Sequence, residues 1–302
     1  MKTIFKCSVL IVIFLNICFV IGCKTSQLGT QIKSAESSFG DWKNERFKSI
    51  KDPAGWASVV GLYFINEDTL SIGSLDINDI IFPDNAPIKI GQLIKKNDNF
   101  IFYKEQQLTI LQDGVSIDSC FMYGPDKESN TLQLASFFWF LIERDGQHYV
   151  RLKDTLSERR LALESIPTFD FNKDLVLNAT IHREEQARFI PITNVLGVTA
   201  EKKVQGLINF TFKGERHQLT ALDGGKNQWF VIFADDTSGE DTYGGGRFMD
   251  IYLPQKGDQI SLDFNRAYNP PCVFTDYATC PLPPSENSLP FEVLAGEKYM
   301  EH

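Results

Sequence analysis

From residue 56 onward the apolar positions fall in short runs, many alternating with polar residues, and Gly, Pro, Asn or Asp separates each run from the next. In the first half the runs lie at 57–65, 69–73, 79–82, 88–94, 100–103, 108–111, 131–135, 137–143 and 148–152. Runs of this length, rich in β-branched and aromatic residues, are strands. The stretch 154–171, with Ser157-Glu158-Arg159-Arg160 and then Pro167, breaks the rhythm. Strands resume at 176–181, 189–198, 204–212, 216–222, 229–233, 248–253 and 259–264, with turn signals such as Lys213-Gly214, Asp223-Gly224-Gly225 and Lys256-Gly257 between them. The pattern predicts an all-β protein of two antiparallel, sandwich- or barrel-like halves, residues 39–156 and 157–302. Residues 269–290 hold six prolines, which cannot donate to a sheet ladder, so this segment is expected as an ordered loop over the second core.

Before the strands the period changes. Phe39, Trp42, Phe47 and Ile50 recur at near-helical spacing, with Asp41, Lys43, Glu45 and Lys48 on the other face, which predicts one short amphipathic helix. Residues 23–38 are polar and have little to bury, and they read as a flexible stalk. The first 22 residues carry Lys2 and Lys6, then an apolar run from 8 to 21 broken by Asn16, ending in Val20-Ile21-Gly22-Cys23. That is a signal peptide with a relaxed lipobox, too short for a comfortable membrane-spanning helix. Cleavage before Cys23 and acylation of its thiol are expected, and three acyl chains would make attachment effectively permanent. Lys24, not Asp, follows the cysteine, which points to the outer membrane with the protein facing the periplasm.

Composition changes the picture in two places. A net charge of −9, with both signs interspersed and no basic stripe, argues against nucleic acid as a partner. Cysteine usage separates by compartment. Cys7 and Cys18 leave with the signal, Cys23 is acylated, and Cys120, Cys272 and Cys280 remain. In an oxidising periplasm Cys272 and Cys280 suit a local disulfide across the Pro-rich loop; three buried thiols are the alternative. His148, His182, His217 and His302 have no ligand spacing among themselves or to the cysteines, so neither a metal site nor a cofactor is expected.

Two resemblances add to this. The segment Thr69-Leu70-Ser71-Ile72-Gly73-Ser74, followed by Asn78-Asp79-Ile80-Ile81-Phe82-Pro83, resembles the opening of forkhead-associated domains, β-sandwiches that bind phosphothreonine. Ser74 stands where that family places its phosphate-binding arginine, and no histidine occurs between residues 1 and 147, so phosphothreonine peptides are not expected as partners. Further on, Phe233-Ala234-Asp235-Asp236-Thr237-Ser238-Gly239, Thr242-Tyr243-Gly244-Gly245-Gly246-Arg247-Phe248, Asp263-Phe264-Asn265-Arg266-Ala267-Tyr268-Asn269-Pro270-Pro271-Cys272, Cys280-Pro281-Leu282-Pro283-Pro284-Ser285-Glu286-Asn287 and Ala295-Gly296-Glu297-Lys298 occur in order. Together they resemble the family called domain of unknown function 1684, which implies no reaction.

Candidate chemistry gathers in the second half. Asp235, Asp236, Thr237, Glu240 and Asp241 precede the glycines at 244–246, and Arg247 follows them. We expect Arg247, Asp263, Asn265, Asn269, Glu286, Asn287 and Tyr243 to line one polar pocket, with Arg247 as its anion-binding group. A buried ion pair of Arg247 with Asp263 or Glu286 is the competing arrangement. No Gly-x-Ser-x-Gly elbow, His-Glu-x-x-His helix, phosphate-loop lysine or Cys-x-x-Cys pair is present. The sequence thus reads as a lipid-anchored envelope protein binding a small ligand or envelope component. The alternatives are a hydrolase using carboxylates such as Asp235 with Glu286, and a structural interaction module.

Overall fold

The computed structural model describes residues 4–300 except 126–128 and 145, with side chains from residue 28 onward. The signal-peptide reading and Cys23 acylation therefore concern side chains outside the described residues. Among the described residues no helix is long and apolar enough to cross a membrane.

One helix, α1 (Ile4–Lys51), opens the chain. It begins well before the short helix expected from Phe39 and runs through the segment read as a stalk. The reason is visible in its buried stripe: Leu28, Gln31, Ile32, Ala35, Ser38, Phe39, Trp42, Arg46, Phe47 and Ile50 are all at least half-buried. That spacing continues the apolar face backwards with small and amide side chains.

The first unit holds β1 (Val59–Phe64), β2 (Thr69–Gly73), β3 (Ile80–Ile81), β4 (Gly91–Lys96), β5 (Asn99–Lys104) and β6 (Ile110–Gln112). It continues with β7 (Val115–Ile117), β8 (Ser119–Tyr123), β9 (Leu132–Leu134), β10 (Phe137–Arg144) and β11 (Gln147–Asp154). Two sheets, β1-β11-β10-β9-β6-β7 and β3-β2-β4-β5-β8, enclose one apolar core. Trp139 sits at its centre, with the rings of Phe82 and Phe102 edge-on at 5.5 and 5.7 Å. Such pairs add to the burial itself, about 1.5–3 kcal/mol for each large side chain.

The second unit follows the short helix α2 (Glu158–Ala162) and comprises β12 (Val176–Arg183), β13 (Phe189–Thr193), β14 (Thr199–Phe212) and β15 (Glu215–Asp223). Its last strands are β16 (Gln228–Phe233), β17 (Arg247–Tyr252) and β18 (Gln259–Asp263). They form a curled antiparallel sheet in the order β17-β16-β15-β14-β12-β18, with β13 paired to β14. Past β18 the chain runs over the mouth of this sheet in short 3-10 turns and buries Leu289, Val293 and Ala295 in its core.

The fold is all-β, as the periodicity indicates. The differences are local. β8 was not expected, because Ser119-Cys120-Phe121-Met122 reads as an isolated apolar patch until it pairs with β5. β14 starts at Thr199 despite Glu201, Lys202 and Lys203, because β13 supplies a partner for that polar end. α1, although adjacent in sequence to the first unit, packs on the second: Phe39 meets Phe171 at 5.7 Å, and Arg266 donates to Ser38 Oγ at 2.7 Å. Around residue 50 the units join through Ile50, Ala57, Leu163, Val273 and Phe274, and Ser157 and Thr275 donate to the carbonyls of Ala57 and Val59 at 2.9 and 2.8 Å.

Candidate functional site

Asp235 follows β16, and its side chain organises the turn after it. The Thr237 hydroxyl donates to both carboxylate oxygens at 2.9 and 3.0 Å, and the Ser238 hydroxyl donates at 3.2 Å. Glycine is required at 246, where φ is +79° and a Cβ would stand 2.4 Å from Pro283 and 2.5 Å from the Phe233 carbonyl. This close approach drives the next residue, Arg247, into the interior. Arg247 is 1% exposed and donates to Asp235 Oδ2 at 3.2 Å, to Val293 O at 2.9 Å and to Ala295 O. Val293 N–H donates to the same Asp235 oxygen at 2.6 Å. Burial pushes the guanidinium pKa down and Asp235 opposes that shift.

A second buried carboxylate lies alongside. Glu297 accepts from Arg46 Nε at 2.9 Å and from the Asn269 N–H at 2.7 Å, and Arg46 also donates to Asn269 O at 2.8 Å. The Arg46 guanidinium stacks over Tyr268 at 4.6 Å and over Phe274 at 5.5 Å. Burial raises the Glu297 pKa against the pull of Arg46. Burial also raises that of Tyr268, and the neighbouring Asp250 carboxylate adds to the rise. Gly296 brings the tail this close, because at φ +80° a Cβ there would meet Ala267 O at 2.4 Å. Two cations and two carboxylates thus alternate under α1 and pin helix, sheet and tail together.

The remaining candidates have other duties. Asn265 accepts from Asn172 N–H at 2.7 Å and donates to Asn172 O at 3.0 Å and to Asp263 Oδ1 at 2.8 Å, tying the linker to the sheet. Asn287 accepts from Thr220 N–H at 2.7 Å and donates to Thr220 O and Ile232 O at 2.9 and 2.8 Å. It fills a gap, because β15 and β16 pair only at Leu222 and Asp223. Asn269 donates to Lys298 O at 2.8 Å, Tyr243 stacks near Tyr299 at 5.9 Å, and Glu286 is exposed. Cys272 and Cys280 form a disulfide with Cα atoms 6.2 Å apart, and Cys120 is a buried free thiol.

The single pocket expected from Arg247, Asp263, Asn265 and Glu286 is therefore not what the fold builds. Arg247 is sealed behind an ion pair whose partner is Asp235 in place of Asp263 or Glu286. Asn265 holds the linker, and Glu286 faces solvent. Of these four, Asp263 lines a groove of about 390 Å³ between α1 and the β17–β18 edge, beside Gln31, Ser34, Ser38, Asp250, Tyr252 and Arg266. Asp235 and Glu286 likewise do not face a common cavity, so that pair offers no acid and base for hydrolysis. Sequence reasoning did not assign roles to Glu297 and Arg46, which lie 251 positions apart. Glu297 was legible as part of Ala295-Gly296-Glu297-Lys298, where a glycine precedes an acid in the C-terminal tail. Among the described residues no group of His, Cys, Asp and Glu could hold a metal ion.

These features define a class: an all-β protein whose C-terminal unit is locked by buried polar pairs and a sealed tail. Over residues 162–298 the chain matches the model of a family described as protein of unknown function DUF1684, and it belongs to that family. It is also similar, at 32% identity, to an uncharacterized protein of Haloarcula marismortui solved by NMR; the match covers 46% of this chain and 78% of that one, with a TM-score of 0.39. No curated protein matches the chain.

Proposed function

We propose that this is an exported lipoprotein of the cell envelope, held by an acylated Cys23, that binds a polar envelope component in the groove beside Asp263. The groove carries the reading: here a residue expected at the site borders open space, and the opposite wall is α1, the helix that leads away from Cys23. At a rise of 1.5 Å per residue, the first groove residue on α1, Gln31, stands about 12 Å along the helix from Cys23. A ligand there would lie near the outer-membrane surface on its periplasmic side. The exposed Tyr252 ring beside Gln31, Ser34, Gln259 and Arg266 suits a hydroxyl-rich ligand, which offers an apolar face and many hydrogen-bonding groups.

Asp250 and Asp263 both border the groove, which is the observation favouring a hydrolase as the second reading. Binding is preferred because each carboxylate has a structural task. Asp250 stands beside the buried Tyr268 and raises its pKa, and Asp263 accepts from Asn265 and pairs with Arg266 at 3.5 Å. Titration of soluble envelope glycans should give saturable binding, weakened about tenfold by Tyr252→Ala or Arg266→Ala, with the glycans recovered intact. Glycan cleavage abolished by Asp263→Asn would establish the hydrolase instead. For the anchor, labelled palmitate should enter the wild type and not Cys23→Ala; equal labelling would remove that part of the reading.

A further inference from the structure

The outer face of the β1-β11-β10 sheet carries a charge imbalance that the groove reading leaves unused. Side chains on one face of a strand recur every second residue. The register aligns Phe138 with Lys153, Phe140 with Arg151, Ile142 with Tyr149 and Arg144 with Gln147, while Leu62 and Phe64 of β1 flank Arg151 and Tyr149. Among the described residues of these strands, this face therefore presents Arg144, Arg151 and Lys153 and no carboxylate.

Arg151 stands out among the buried arginines. It is 5% exposed, yet among the described residues its side chain has neither a hydrogen-bond acceptor nor an ion-pair partner. Arg247, by contrast, has Asp235 and two well-placed carbonyls, and Arg160 reaches the carbonyls of Lys51 and Thr155 at 2.8 and 2.7 Å. The Arg151 guanidinium lies against Trp56, 4.8 Å from the ring centre, which fixes its plane. Nε is sealed from water without a partner, while the two terminal nitrogens, which also make no hydrogen bond to a described residue, keep some contact with solvent. Lys153 reaches across Phe140, 5.6 Å from its ring, and donates to Ala54 O. Burial lowers the Lys153 pKa and Arg151 lowers it further, while Arg144 acts the same way on Arg151. The one carboxylate acting on Lys153 is Asp52, which itself accepts from Ala54 N–H at 2.8 Å.

From this geometry we infer that Arg151, with Lys153 and Arg144, forms an oxyanion site for a doubly charged tetrahedral group of phosphate type. A planar guanidinium held on an aromatic ring, with both terminal nitrogens unbonded, is suited to two parallel hydrogen bonds to such an anion. Among the described residues three cations face one carboxylate, an excess of two positive charges that a dianion would balance. The anion could be free hydrogen phosphate or a terminal phosphate monoester on a lipid headgroup; both are dianions with three terminal oxygens.

The test is calorimetric titration of the full chain with inorganic phosphate and, separately, with glycerol 1-phosphate. Saturable binding is expected, weakened about 10- to 100-fold by Arg151→Gln, the loss that follows from removing charge-assisted hydrogen bonds. Lys153→Gln should weaken it less, and Lys173→Ala, an exposed cation on the other unit, should leave it unchanged. A preference for glycerol 1-phosphate assigns the site to an ester; equal or better binding of inorganic phosphate assigns it to the free ion. Absence of binding to either by the wild type overturns the inference. Should Arg151→Gln fail to fold, Lys153→Gln decides, and undiminished binding by that variant overturns it equally.

Discussion

The two units hold their buried arginines in opposite ways. In the second unit Arg247, and on the helix packed against it Arg46, each meet a buried carboxylate, and the surrounding carbonyls and amides are largely taken up. In the first unit the interior is an aromatic and aliphatic core, and the buried Arg151 lies outside it, stacked on Trp56 with no acid. The difference separates structure from availability. A charge matched inside the fold pins segments together and has little left for a ligand, whereas one buried without a partner is a cost to folding that a bound anion can offset. The matched arginine sits within the sequence motifs; the unmatched one sits on a strand that carries none.

The hardest blow to this contrast is on the matched side. Arg247→Ala should lose about 3–5 kcal/mol in denaturant unfolding, because Asp235 is then buried with no cation. Replacing both partners with apolar residues of similar size should cost much less. If Arg247→Ala unfolds like the wild type, the lock does not exist. Asn287→Ala comes next, at about 3 kcal/mol, since three backbone groups between β15 and β16 lose their partner. Its effect should appear as faster hydrogen exchange at the Thr220 amide. Reducing Cys272–Cys280, eight residues apart, should cost about 2.5 kcal/mol by the chain-entropy model, read as a shift in Tm with and without reductant.

A smaller effect tests Glu297 by pH. Its folded pKa is raised, so the folded state holds that proton more tightly than the unfolded chain does. The stability this provides is complete below the ordinary glutamate range and is lost as pH rises through the folded value. Glu297→Gln should flatten that decline, at a cost of about 2 kcal/mol from the weakened bond to Arg46. An unchanged slope would mean that Glu297 is not the group responsible.

Much of the fold was legible because strand periodicity is local. The runs at 137–143 and 148–152 became β10 and β11, and the six-proline segment became the covering loop. The length of α1 was also legible, in Leu28, Ile32, Ala35 and Phe39, but the small polar residues between them masked the stripe. The candidate site was legible only as a set of residue types. Asp235, Arg247 and Asn287 are important to the fold, but nothing in their spacing distinguishes a ligand contact from a bond to Val293 O or Thr220 O. Such partners lie tens of residues away, and which of them meet depends on how the tail crosses the sheet. Arg151 was less legible still: in Tyr149-Val150-Arg151-Leu152 it reads as an ordinary outward-facing strand residue.

The smallest effect expected is none at all, and it lies at the end of the first unit that resembles a phosphothreonine reader. Ser74 there donates its N–H to Pro87 O at 3.0 Å, which fixes the loop. Around it Leu75, Ile77 and Ile88 are 43%, 70% and 57% exposed, so the loop end presents aliphatic side chains. Nearby, the Asp79 carboxylate is held by the Ser71 hydroxyl and N–H at 2.7 and 2.8 Å, and these bonds lower its pKa. A phosphorylated peptide would thus meet a carboxylate and apolar groups where a guanidinium is needed. Calorimetry with phosphothreonine peptides should show no micromolar binding at this loop, and Ser74→Arg alone should not create it, because one arginine cannot offset Asp79. The comparison with Arg151 sharpens here: if phosphopeptides bind and Arg151→Gln abolishes that binding, the phosphate is read on the sheet face. If binding survives Arg151→Gln and is lost on dephosphorylation, the loop reads phosphate after all, and the contrast between the two ends of this unit fails.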